Sequence, residues 1–355
     1  FNAIADSLAR FESILSSRYG ITGAAQNFLP FETSNDVQTI FARLDWNVND
    51  RHRFSLRNNF ARFDNLNEAP GASETGGISR AEAFTNRNNS IVAELTSQIG
   101  ERASNVFRIQ WSRERQPRVG NDLRPRLTVN NASPLGAANF GGNDISFRNL
   151  LNEDKLQIIN NTQVQVGSHG LKFGTNSIFS RFGNVFWNGG SGNWTFASLA
   201  DFEAGRPTNF TRNIRADGSA PSAFFDQQEL SFYAQDDWQV SRRLLVQAGL
   251  RYDLTRFTNF PGRVQPIEAA LGFETGRAPI DRNNISPRLS ATFDVRGDGR
   301  EVIRAGSGLF FGRFPSVLGS NVGITDNPLL ELQCFGSFAE GAPNAPPSPS
   351  VYTSL

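Results

Sequence analysis

Residues 232–253, FYAQDDWQVSRRLLVQAGLRYD, decide the fold. Asp236 and Asp237 stand side by side ahead of Trp238, either as a reactive carboxylate pair or as parts of a strand with two different faces. The stretch is two period-2 segments around a polar turn at Ser241–Arg243, the pattern of a β-hairpin. Adjacent residues of a strand point to opposite faces, so the two acids cannot work as one pair. Strict alternation sends Asp237 to the polar face and Asp236 to the apolar one. A bulge near Gln235–Asp237 would instead turn both polar groups away from that face.

Four more hairpins repeat the pattern. Ile40, Ala42, Leu44, Trp46 and Val48 alternate with Phe41, Arg43, Asp45 and Asn47 before a turn at Asn49–His52, and Phe54 and Leu56 follow. Ile91, Ala93, Leu95 and Ile99 lead to a turn at Gly100–Arg102, then Phe107, Ile109 and Trp111. Ile158, Thr162, Val164 and Val166 precede GSHG (167–170), then Leu171 and Phe173. Leu289, Ala291 and Phe293 precede RGDG (296–299), then Ile303, Ala305, Leu309 and Phe311. The expected architecture is all-β, an antiparallel up-and-down meander of ten strands of roughly 10–14 residues, long enough to cross a bilayer at a tilt.

The connections sharpen this. Turns within hairpins are short, whereas residues 64–85, 116–154, 182–225, 258–284 and 314 onward form long loops, which a compact soluble domain rarely carries without structure. Short turns on one rim and long external loops on the other belong to a transmembrane β-barrel. The uneven spacing of the turns argues against a propeller. Three segments are expected: a helix and loop over 1–36, opening with Phe1, Ile4, Leu8, Phe11 and Leu15 at helical spacing; a barrel segment over 37–315; and an incomplete external loop over 316–355.

Composition fits. No apolar run reaches the length of a transmembrane helix, and barrel strands do not need one. The formal net charge of +1 gives no electrostatic case for nucleic acid. Cations are almost all arginine, with lysine only at 155 and 172, where a water-facing sandwich would carry more Lys and Glu. The 355 residues contain no methionine and end in a Pro/Ser-rich run, which reads as a piece of something longer. Ten strands then leave both sheet edges open.

The stretches ARLDWNVNDRHRFSLRNNF, GSHGLKFG, WTFASLADFEAGRP, YAQDDWQVSRRLLVQAGLRYD, NNISPRLSATFDVRGDG and VIRAGSGLFFGRFP resemble, in order and spacing, the barrel of TonB-dependent outer-membrane receptors. The likeness is greatest to the Oar-like group with a carboxypeptidase-regulatory-like N-terminal domain. The resemblance implies a bacterial outer-membrane location and ligand-gated active uptake of a scarce nutrient (siderophore, oligosaccharide or peptide) by the complete protein. It implies outer-membrane lipid, an unknown small ligand and the TonB complex as partners, the last through a plug domain missing from this chain. Two readings compete: an outer-membrane barrel with a structural or adhesive role, and a secreted array of β-sandwiches.

Particular residues follow. Arg43, Asp45, Arg57, Asp237, Arg251, Asp253, Arg288, Asp294 and Arg304 are expected to face a wet lumen. Trp46, Trp238 and Tyr252 are expected in an interfacial aromatic girdle. Trp187, Asn193 and Trp194 are candidate external ligand contacts, weighed against a reading in which NWTF is a strand extension and SLADFEAG a packing helix. His52 and His169 read as solvated turn residues, and the Arg-Gly-Asp of 296–298 as a tight turn. GSGLFFG (306–312) misses a nucleotide-loop spacing, and inward Gly306 and Gly308 more simply leave room for a large neighbour. No catalytic set, metal site or cofactor is expected.

Overall fold

A computed structural model of the protein describes residues 2–68, 77–133, 136–142, 148–215, 219–259, 268–270, 272, 274, 280–324 and 329–335. In chain order the elements are helix α1 (Asn2–Tyr19) and strands β1 (Ser34–Asn49), β2 (His52–Glu68), β3 (Glu82–Ile99), β4 (Ala103–Gly120), β5 (Arg126–Ser133), β6 (Gly136–Phe140), β7 (Arg148–Val166), β8 (His169–Val185) and β9 (Asn193–Phe196). Helix α2 (Leu199–Ala204), β10 (Asn209–Arg215), β11 (Ser222–Ser241), β12 (Leu244–Thr258), β13 (Asp281–Asp294), β14 (Val302–Gly308), helix α3 (Ser316–Ile324) and β15 (Leu329–Phe335) complete them.

Ten strands form one sheet in the order β1-β2-β3-β4-β7-β8-β11-β12-β13-β14, every neighbouring pair antiparallel. All five hairpins of the sequence are present within it. The sheet is not closed: β1 and β14 are its two edges. At the β13–β14 turn the Asp294 carboxylate accepts the backbone N–H groups of Gly297 (2.8 Å) and Gly299 (2.9 Å). Both glycines have positive φ, so the Arg-Gly-Asp tripeptide is a turn built on glycine's left-handed freedom.

The strands run 14–20 residues except for the seven of β14, longer than the 10–14 expected. The excess lies at the long-loop end, where β2 continues through Arg62 and Asp64 to Glu68 and β4 from Trp111 to Gly120. Backbone pairing does not depend on side-chain polarity, so the ladder outruns the apolar band from which strand length was read.

One face inverts the usual globular pattern. Ile40, Leu44 and Trp46 are 60–62% exposed, and Leu250, Ile285, Leu289 and Ile303 are exposed with them. The buried apolar core lies elsewhere, in a second, five-stranded sheet of order β15-β10-β9-β5-β6. Residues from three separate loops pair with one another there, β5 with β9 in parallel and β10 with both β9 and β15 in antiparallel. Leu127, Val129, Phe140, Trp194, Phe196 and Phe210 supply one side of that core, and Phe11, Ile14, Leu15 and Tyr19 of α1 the other.

Phe202 of α2 joins the two. It stacks on Phe11 at 5.2 Å and on Tyr19 at 4.8 Å, and the Tyr19 hydroxyl donates to the Phe202 carbonyl at 2.7 Å. Ser198 caps α2 by accepting the Asp201 N–H, and Gly205 ends it at φ 66°. Phe202→Ala should cost the loop sheet about 3–5 kcal/mol. Limited proteolysis should then cut within 126–140 or 193–215 while the large sheet keeps its resistance to unfolding in SDS; unchanged cleavage would rule out this core.

Candidate functional site

The polar face of the large sheet carries an extended set of charged groups that the hairpins bring opposite one another on neighbouring strands. Arg43 and Asp45 of β1 form a bidentate pair at 2.8 and 2.9 Å, with Arg53 of β2 also on Asp45 at 3.2 Å. Arg57 lies opposite Arg43. Arg108 of β4 donates to Glu94 of β3 at 2.6 Å.

Farther across, Asp237 gathers four strands. It accepts Lys172 of β8 (2.6 Å), Gln235 (2.7 Å) and Gln247 of β12 (2.9 Å), and Gln247 in turn accepts the Ser290 hydroxyl of β13 (3.1 Å). Arg251 grips Asp253 and donates to the Ser231 hydroxyl at 2.8 Å. Tyr233 crosses Gly174, whose missing Cβ would stand 3.1 Å from the ring, and donates to Asn161 at 2.6 Å. These side chains are half-exposed, so each pair contributes little by itself. Together they make a polar wall in which charges have partners on neighbouring strands.

Other expected residues are placed as follows. Arg288 lies over the ring of Phe310 at 4.4 Å, and Gly308 packs beside both. Arg313, on the segment after β14, reaches Glu229 of β11 at 3.1 Å, and Ser316 donates to Gln227 at 2.7 Å, so this segment lies on the polar face. Asp294 is committed to its turn, and Arg304 is exposed on the edge strand. Trp46 pairs with Phe54 and Trp238 with Val246. Tyr252 lies between Phe232 and Ile285, six residues beyond Val246 and therefore about 20 Å along the sheet from the Trp238 level.

Trp194 needs correction as a ligand contact. It is 2% exposed and packs on Phe210 at 4.5 Å, because NWTF is strand β9 of the loop core. Trp187 is half-buried and donates from its indole to the Asn213 carbonyl at 3.0 Å, and Asn193 accepts the Thr128 hydroxyl at 3.2 Å. The three do not form an exposed stacking surface.

The register also resolves Asp236. Pairing between β11 and β12 is continuous from Asp226 to Gln239, and its one irregularity falls between Gln239 and Ser241. No bulge turns Asp236, which shares the apolar face with Phe232 and Trp238. What the sequence reading missed is its partner. His169 is the first residue of β8 rather than a solvated turn residue; its Nδ1 lies 2.7 Å from Asp236 and its ring stacks on Trp238 at 5.5 Å. The pair joins two hairpins, so only cross-strand register could have revealed it. His169→Leu should strand the carboxylate and destabilise the barrel by about 1–3 kcal/mol, and His169→Leu/Asp236→Leu should recover most of the loss. Urea midpoints in detergent measure it; additive effects would mean the pair is uncoupled.

The comparisons agree with this geometry. A family model described as the outer membrane beta barrel domain matches residues 8–353. No curated protein matches the chain. Among solved structures, the outer membrane transporter YddB from Escherichia coli is 16% identical with a TM-score of 0.53, over 77% of this chain and 31% of that one. The siderophore receptor PirA from Acinetobacter baumannii is 14% identical with a TM-score of 0.46, over 81% and 35%. The ferric-catecholate import receptor Fiu from Escherichia coli K12 is 13% identical with a TM-score of 0.44, over 74% and 42%. The chain thus spans less than half the length of these structures. With its open ten-stranded meander and exposed apolar face, the chain belongs to the outer membrane beta barrel domain family and resides in the bacterial outer membrane.

Proposed function

We propose that the chain is one sector of the barrel of a TonB-dependent receptor, and that the full-length protein takes up a scarce nutrient by ligand-gated, energised transport. The carrying observation is the pairing of a built polar wall with two unpaired edges. A sheet that already has ten strands and still does not close is a sector of a wide barrel, whose lumen is polar and large enough to hold a plug or a channel. On this reading Arg43, Asp45, Arg57, Asp237, Arg251, Asp253, Arg288 and Arg304 line the lumen. Trp46, Trp238 and Tyr252 mark its lipid interfaces, and the loop sheet stands on the external side, where ligand arrives.

The TonB complex acts on this barrel through a plug domain outside the segment described. The nutrient is a siderophore, an oligosaccharide or a peptide, and the Oar-like group is the subgroup whose motifs the sequence resembles most. The test is uptake by a strain deleted for the full gene, with labelled compounds of each class and with or without a protonophore. Uptake of one class should vanish on deletion, return with the intact gene and stop when the proton-motive force is collapsed. Unchanged uptake with altered adhesion or envelope integrity would favour a structural barrel instead.

A further inference from the structure

The outward face changes character above its apolar band. Arg62 of β2, Arg87 of β3 and Arg115 of β4 stand directly opposite one another, Arg62 against Arg87 and Arg87 against Arg115. They share the face of Ile91, Leu95 and Trp111, and Arg87 lies eight residues, about 26 Å, along β3 from Leu95. Like charges opposed across strands are unfavourable. The next row shows how such a belt neutralises itself: Arg113, Asp154, Arg181 and Asp226 alternate in sign across four strands, with contacts of 2.6 Å for Arg113–Asp154 and 3.2 Å for Arg181–Asp226.

The arginine row has no such alternation. Arg62 is held by Asp64 at 2.5 Å and Arg115 by Asp154 at 3.1 Å, while Asp36 lies opposite Asp64 on the edge strand. Arg87, between the two flanking arginines, is exposed and has no ion pair among the described residues. Beyond the Arg113–Asp154 row, two rows from the arginines, Trp111, Leu156 and Phe179 form one cross-strand row. With the ion-paired Arg113, Asp154, Arg181 and Asp226 they line an outward groove of about 360 Å³, and the Arg113 guanidinium lies over the Trp111 ring at 5.3 Å. An arginine row over an aromatic and aliphatic groove matches a lipid with an anionic head and apolar chains.

We propose that Arg62, Arg87 and Arg115 bind the phosphate of a phosphorylated lipid in the outer leaflet, with an acyl chain in the groove along Trp111, Leu156 and Phe179. A soluble ligand approaches through the loops and lumen, whereas this row borders hydrocarbon, so its anion comes from the membrane. Guanidinium forks suit phosphate oxygens bidentately. The site rests on the outward face being lipid-facing and not on what the barrel transports.

The test uses the full-length protein, delipidated in mild detergent and titrated with diphosphorylated lipid A, its dephosphorylated form, or inorganic phosphate, with native mass spectrometry as readout. The diphosphorylated lipid should bind and the dephosphorylated form should not. Arg87→Gln should weaken binding about fivefold, with Arg87→Lys intermediate. Arg296→Gln, in the β13–β14 turn at the opposite rim, where Arg296 pairs with Glu301, should match wild type. Heat-modifiable migration in SDS confirms that each variant is folded. Equal binding by Arg87→Gln, equal binding of the dephosphorylated lipid, or displacement by equimolar inorganic phosphate would overturn the proposal. Binding is read without transport, so a failed uptake assay leaves this result standing.

Discussion

In hydrocarbon a backbone N–H or C=O finds no water, so a strand that crosses a bilayer must place its polar groups on a neighbouring strand. The rest of the large sheet depends on that requirement. Pairing runs from β1 to β14 with few interruptions, and a period of two then fixes every side chain to one face or the other. Ile40, Leu44 and Leu289 are exposed because their solvent is lipid, while Lys172, Asp237 and Arg251 share the polar face. Asp236 is the exception that register enforces, and His169 with Trp238 encloses it.

The two sheets are therefore held by different forces. The large one relies on backbone ladders and lipid contact, with partly exposed ion pairs that satisfy charges more than they stabilise. The small one obeys the rules of a soluble domain: Phe11, Leu15, Val129, Phe196 and Phe202 are fully buried, and hydrophobic burial holds α1 to loops from two places in the chain. Gly205 ends α2 ahead of β10 within the small unit, and the positive-φ Gly297 and Gly299 reverse the chain from β13 to β14 within the large one.

Much of the large sheet was legible in the sequence because hairpins are local. Alternation around Ser241–Arg243, GSHG and RGDG places each turn, and the order of the strands follows from joining each hairpin to the next. Strand length was less legible, since the apolar band that alternation reveals stops before the backbone ladder does, as at Arg62–Glu68. The loop sheet was hidden because its contacts are distant in sequence: Leu127 beside Trp194, Phe210 beside Cys334. The choice for Trp194 between an exposed anchor and a packed strand turns on the same distant contacts. At the polar wall, residue type and face could be read, but not that Asp237 collects Lys172 and Gln247 from two other strands, nor that His169 meets Asp236.

The most direct measurement of the central claim, a sheet with one face in lipid and the other in water, is a spin-label scan of β11 from Leu230 to Gln239 in the full-length protein in bilayers. Accessibility to oxygen and to a water-soluble nickel chelate should alternate with period two. Positions 232, 234, 236 and 238 should favour oxygen, and 231, 233, 235 and 237 the chelate, with no break at 235–237. Loss of the alternation, or a phase shift that moves position 236 to the chelate-accessible set, would contradict it.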